Sequence, residues 1–281
     1  MSRRSAAGAA IGALARLGGK SGLMVLIYHR VLPEPDPMLP DVPDAAMFAV
    51  QMEVISRYFR VAPLQQALDG AGRDESVRVV VLAAAGKAFC AGADLEYLQE
   101  VSRYSAMENL ADSQLLQETF HEIYSCSKPV IARVHGAAIA GGCGLASVCD
   151  YVVAGESAKF GYSEVKIGFI PAVVMVYLLR KIGDTQARRL LLSAETISAD
   201  EAFRLGLATY CVPDAELDSF TNQLADTISR NSASSMALTK EMLVNLHGMS
   251  LESGLRYAAS MNAFTRMTDD CKAGIAGFLG K

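Results

Sequence analysis

Two short apolar runs, VRVVVLA at 77–83 and VIARV at 130–134, restrict this chain more than any other feature. Both are rich in β-branched residues and bounded by turn residues, so each reads as a strand buried on both faces. Each is followed by a loop of small residues and then by a helical pattern. The loops are GKAFCAGAD at 86–94 and GAAIAGGCG at 136–144, with helices predicted from about Asp94 and about Gly141. A third apolar strand is predicted at Tyr151–Ala154. Strand–helix–strand alternation with connections this long implies parallel pairing and right-handed crossovers. The expected architecture is a layered α/β core followed by a helical region.

Other helices are predicted at Ala45–Phe59, where Met47, Phe48, Met52, Ile55 and Phe59 recur at helical spacing, at Leu64–Gly70 and over 106–124. Beyond Pro171 the pattern is almost wholly helical, over 171–182, 184–193, 198–205, 214–230, 232–247, 250–264 and 268–279. Five of the nine prolines fall in PEPDPMLPDVP at 33–43, which predicts extended chain there. The preceding run Leu23–Val31 reads as a short buried strand.

Composition removes several classes of function. A net charge of −4 on 281 residues, with no basic face in view, argues against a nucleic-acid partner. No apolar run reaches the ~20 residues needed to span a bilayer. The six cysteines form no C-x-x-C pair and no His clusters with them, so they read as reduced small hydrophobes in a cytoplasmic protein, with no metal site. The basic, Ala-rich start, with Arg3, Arg4, Arg16, Lys20 and Arg30 ahead of the first acid, reads as a solvated leader, with a targeting segment as the alternative.

The two glycine loops share a design. Small residues let a ligand approach the backbone, and a helix N-terminus supplies unpaired N–H groups. Loops after neighbouring parallel strands can aim one N–H each at a single point, which is a way to stabilise a developing oxyanion. Neither loop matches G-x-G-x-x-G or a P-loop. Taken singly, each is equally well explained by tight strand–helix packing.

Three segments in register, VRVVVLAAAGKAFCAGADL (77–95), KPVIARVHGAAIAGGCGLASVCDYVVAGESAKFGYSEVKIGFIP (128–171) and ISADEAFRLGLATYCV (197–212), resemble the crotonase, or enoyl-CoA hydratase/isomerase, family. The resemblance runs from about residue 64 to 281 and implies a ββα spiral fold with C-terminal helices that trimerise. It implies an acyl-CoA thioester substrate whose enolate oxygen is held by the backbone N–H groups of Ala93 and Gly141. Coenzyme A enters as part of the substrate, near Lys87, Ala88, Phe89 and Ala91, with Asp94, Gly142 and Gly144 completing the substrate-binding set. No other cofactor is implied, and a homotrimer or homohexamer is expected.

Family hydratases carry two catalytic glutamates. The second corresponds to Glu164 in FGYSEVKIG, whereas the first position is occupied by Gly144. Hydration needs a base for water and a proton for the α-carbon, work that two carboxylates share; moving a double bond needs only one. A lone Glu164 therefore leaves both enoyl-CoA hydratase and 3-enoyl-CoA isomerase open, with a catalytically silent acyl-CoA-binding homologue as the alternative. Glu118 and Glu122 read as solvated helix positions, Asp94 as a helix N-cap, and His135 as a structural histidine beside the second glycine turn. Tyr162 and Ser163 read as shaping the Glu164 loop.

The opening departs from the family. Residues 22–62 resemble the N-terminal segment of a NodB-type polysaccharide deacetylase, yet no two of the four histidines (29, 121, 135 and 247) lie close, so deacetylase chemistry is not expected. The chain thus divides into an atypical segment 1–62, a spiral core 63–212 and a helical region 213–281. The junction near 62–72 reads as a fusion, a misplaced start or an engineered chimera, with Leu23–Val31 as a candidate replacement edge strand. The chain ends at Lys281, where relatives usually run on.

Overall fold

A computed structural model describes residues 34–35, 37, 44–58 and 64–280. The predicted strand Leu23–Val31 and most of the deacetylase-like stretch lie outside these residues.

The sheet follows from the apolar runs. Strands β1 (Val80–Ala83), β2 (Val130–Val134), β4 (Tyr151–Gly155) and β7 (Tyr210–Val212) stand in the order β1-β2-β4-β7. All three pairings are parallel, with Val80 opposite Val130, Ile131 opposite Tyr151 and Val153 opposite Tyr210. The 2-residue side-chain period sorts the strands onto two faces. Val80, Leu82, Val130, Ala132, Val134, Val152 and Ala154 join the larger core, whereas Ile131 and Val153 pack with Val212, Leu217 and Ile228 on the other side. β2 is buried along its length apart from Arg133, whereas the expectation that the first strand is buried on both faces holds only in part for β1. Val80 and Leu82 are buried on one face, whereas Val81 and Ala83, on the opposite face, are half-buried, Val81 against the smaller core.

A second small sheet contains β3 (Ala137–Ile139), β5 (Lys159–Gly161) and β6 (Thr196–Ser198). β3 pairs with β5 in parallel, and β5 with β6 antiparallel. These three-residue strands, like β7, carry no periodicity of their own and exist through their partners.

The helices before the core are α1 (Ala45–Tyr58) and α2 (Leu64–Arg73). α3 (Leu95–Val101) begins at Asp94, whose carboxylate accepts the Glu96 N–H at 2.8 Å, the N-cap role expected of it. α4 (Ala106–Ser125) starts with a capping box: Ser105 Oγ accepts from Glu108 N and the Glu108 carboxylate accepts from Ser105 N. It lays Phe120 and Ile123 onto the larger core. α5 (Gly141–Ser147) leaves the second glycine loop, and α6 (Ala172–Ser193) packs against it. Gly183 (φ 74°, ψ 170°) breaks α6 into two pieces, at the point where the sequence pattern also divides. The C-terminal region contains α7 (Ala199–Arg204), α8 (Leu217–Ser229), α9 (Ala233–Leu246), α10 (Leu251–Thr265) and α11 (Asp269–Phe278).

One ion pair between a buried lysine and a partly exposed aspartate ties this region to the sheet. Lys240 of α9, 6% exposed, donates to Asp150 Oδ2 at 2.6 Å and to the Lys128 carbonyl at 3.1 Å, and Asp150 also accepts the Val130 N–H. Removing the lysine takes away both bonds and leaves a space in the packing, while Asp150 stays open to water. Lys240→Ala is expected to cost about 2 kcal/mol, below the range for a fully buried pair because Asp150 is partly solvated and keeps the Val130 amide. The midpoint of a urea denaturation curve measures it.

Candidate active site

The two glycine loops meet, as neighbouring parallel strands require. Cys90 forms a parallel bridge with Ala138, its N–H reaching the Ala137 carbonyl at 3.0 Å while its carbonyl accepts the Ile139 N–H at 2.9 Å. This pairing fixes the relative height of the loops. Gly142 lies so close to Cys90 that a Cβ there would overlap its carbonyl oxygen and lie 2.7 Å from its carbonyl carbon. Gly92, at φ 101°, occupies a conformation open to glycine, and a Cβ on it would lie 3.8 Å from the Gly141 nitrogen. Ala140, the N-cap of α5, is held at φ 52° and ψ −125°, a strained conformation for a residue with a side chain. Its N–H is pinned to the Gly161 carbonyl at 2.8 Å.

The result is a turn that presents backbone. Among the described residues, neither the Ala93 nor the Gly141 N–H has a backbone hydrogen-bond partner. A Cβ at Gly141 would meet no atom within 4 Å, so this end of α5 faces open space. Two unpaired amides on adjoining loops, one at a helix N-terminus, can bind a developing oxyanion.

Glu164 opens a 3-10 turn, Glu164–Ile167, that Gly168 closes in the left-handed conformation. Phe160 and Tyr162, both buried, anchor the strand leading into it. The Phe169 N–H bonds back to the Glu164 carbonyl at 3.0 Å. The side chain is 8% exposed, and Oε2 is buried with no hydrogen-bond partner among the described residues. Burial pushes its carboxyl above the ordinary value, against a smaller opposing effect of its own backbone N–H. Glu164 is close enough to α5 to raise the Cys143 thiol, which burial has already driven up.

This shift has two consequences of opposite sign. A base must be ionised, so activity that depends on Glu164 should fall as pH drops through a pKa raised above the ordinary glutamate value. Stability behaves conversely. A carboxyl with a raised folded-state pKa contributes stability that is present below its unfolded value and lost as pH rises through the folded one. Glu164→Gln should therefore melt higher than wild type at neutral pH, with the gap closing below about pH 4. Thermal unfolding across pH reads both limits.

The remaining candidates fall in different places. Lys87 and Ala91 are exposed and Ala88 half-buried on the first loop, whereas the Phe89 ring, 1% exposed, sits in the core. Phe89 thus presents only backbone to a ligand. Gly142 and Gly144 are buried close-approach positions, the first against Cys90 and the second against Val174. His135 holds the first glycine loop: Nδ1 faces the Arg133 guanidinium at 3.4 Å, leaving Nε2–H to donate to the Gly86 carbonyl at 2.9 Å. Glu118 is exposed. Glu122, read as solvated, instead turns Oε2 into a buried setting at a cleft between α2 and α4 that also touches Leu68, Arg73 and Cys126 and shares no residue with the glycine loops. Lys181, which sequence reasoning missed, donates to the Ser147 and Cys149 carbonyls at 3.0 and 2.8 Å, setting a cation at the C-terminal end of α5. Among the described residues, no His, Cys, Asp or Glu cluster could hold a metal ion, and no helix is long and apolar enough to cross a membrane.

Parallel strands that lead through small-residue loops into helices, followed by a helical C-terminal region, make up a crotonase-like class of fold. The enoyl-CoA hydratase/isomerase family pattern matches residues 60–281, and the chain belongs to that family. The match starts at residue 60, so all but the last three residues of the 22–62 opening lie outside it. A provisionally named enoyl-CoA hydratase of Thermus thermophilus is 46% identical over 218 residues, covering 78% of this chain and 86% of the relative. The crotonyl-CoA hydratase of Syntrophomonas wolfei is 34% identical, covering 78% and 84%. Among solved structures, an enoyl-CoA hydratase from Mycobacterium smegmatis superposes with a TM-score of 0.73 at 33% identity, over 77% of this chain and 84% of that one.

Proposed function

We propose that this chain converts enoyl-CoA thioesters through an enolate, with the Ala93 and Gly141 N–H groups holding the thioester oxygen and Glu164 carrying the proton. The observation that carries this reading is a buried, unpartnered carboxylate oxygen of Glu164 beside α5, whose first residue carries one of two unpaired loop amides. In hydration, Glu164 takes a proton from water as the oxygen adds to C3. The electron pair moves to the thioester oxygen at the two amides, and Glu164 then protonates C2. In isomerisation, Glu164 removes a proton from C2 of a 3-enoyl thioester and returns it to C4. The hydratase names of the relatives support the first route, and Gly144 supports the second.

The exposed first loop, with Lys87 at its start, suits the coenzyme A portion of the substrate, and the scheme uses no other cofactor. The chain acts in the cytoplasm as a homotrimer or homohexamer on this reading. Exposed apolar side chains of the last two helices and their ends, among them Leu251, Leu255, Phe264, Ile275 and Phe278, support assembly.

The test follows the conjugated-enoyl absorbance with crotonyl-CoA and, separately, with a 3-enoyl-CoA. Loss of the band with the first substrate establishes hydration, and appearance with the second establishes isomerisation. A folded protein silent in both, yet binding acyl-CoA, would be the catalytically silent homologue instead.

A further inference from the structure

Gly144 lies one helical turn after Gly141, and residues three apart share a helix face. A side chain at 144 would therefore project from the face of α5 that carries the open Gly141 end, on the helix whose Cys143 feels the Glu164 charge. That volume is already filled. A Cβ at 144 would overlap Cγ1 of Val174, lie 2.8 Å from its Cβ and stand 3.6 Å from the Phe120 ring. Val174 is 4% exposed and packs in the larger core from the first turn of α6. Gly144 is thus one half of a complementary pair, and its partner is thirty residues away in sequence.

We propose that Val174 is a specificity-determining residue: its side chain fills the volume above Gly144, bars a second acid from that helix face, and confines the site to proton transfers that one carboxylate carries. This rests on the enolate reading with Glu164 as sole proton carrier. Alanine at 174 would not reopen the space, because Cβ itself stands too close at 2.8 Å; glycine would.

The experiment compares wild type, Gly144→Glu, Val174→Gly and the double variant. For each, the melting temperature is measured along with turnover of crotonyl-CoA and of a 3-enoyl-CoA. Gly144→Glu alone should lower Tm by about 5 °C or more, as overpacking of a core does, with no gain in hydration. The double variant should recover most of that loss. It should also raise the ratio of hydration to isomerisation at least about tenfold, the scale of one added acid–base group. Gly144→Gln with Val174→Gly should recover Tm without the change in ratio.

A wild-type Tm for Gly144→Glu alone would overturn the proposal. So would a double variant that recovers Tm with an unchanged ratio, or a glutamine variant that matches the glutamate. Where glutamate at 144 prevents folding in both backgrounds, Gly144→Ala with and without Val174→Gly reads the same coupling, and absence of thermal rescue there overturns the pairing. A wild type inactive on both substrates would sink the enolate reading itself, a result distinct from the thermal arm, which still reports the packing.

Discussion

Glu164→Gln is expected to cut turnover of an enoyl-CoA thioester by about 10³-fold while leaving the dissociation constant for a CoA thioester within about threefold of wild type. The amide preserves the shape of the side chain and its place on the 3-10 turn, so the fold persists. What is lost is the ability to accept and return a proton. The buried Oε2 has no partner among the described residues, so nothing else is displaced by the change. Rapid mixing with substrate, paired with calorimetric titration of a non-reacting thioester, separates the two effects. Equal losses in binding and turnover would assign Glu164 to structure.

The second large effect is expected at Gly142. A methyl group there would overlap the Cys90 carbonyl oxygen and crowd its carbonyl carbon at 2.7 Å, and backbone cannot yield as a side-chain tip does. Gly142→Ala must therefore push the first loop away from α5 or strain the Cys90–Ala138 bridge. The expected cost is about 2 kcal/mol of stability, as for other insertions into a packed interior. Separating the Ala93 and Gly141 amides removes much of the oxyanion stabilisation, with turnover falling by about 10²-fold. Urea denaturation and steady-state kinetics on the same sample measure both. By contrast, Gly141→Ala meets open space and should keep wild-type stability.

Legibility in the sequence followed the range of the interactions. β2 was readable to the residue, because VIARV is a continuous apolar run whose strand state its own composition decides. The N-cap at Asp94 and the break at Gly183 were equally local. β3, β5, β6 and β7 were not readable, since three residues carry no period and their conformation is set by partners such as Ala137 with Lys159. At the site, the glycine loops stood out through their small residues between strand and helix, and Glu164 through the resemblance. The surroundings of Gly144 did not, because they are made by Val174 and Phe120 on other helices. Phe89 shows the same limit: its loop suggests ligand contact, and only the folded core shows where the ring goes.

The central claim is that two backbone amides hold an enolate while Glu164 moves the proton. Its most direct test is exchange of the C2 protons of a saturated acyl-CoA in heavy water, followed by NMR. This reaction needs enolate formation but neither hydration nor double-bond migration. The account predicts that wild type incorporates deuterium at C2 and that Glu164→Gln does so at least about 10²-fold more slowly. No exchange by folded, acyl-CoA-bound wild type, or equal exchange by both proteins, would contradict it.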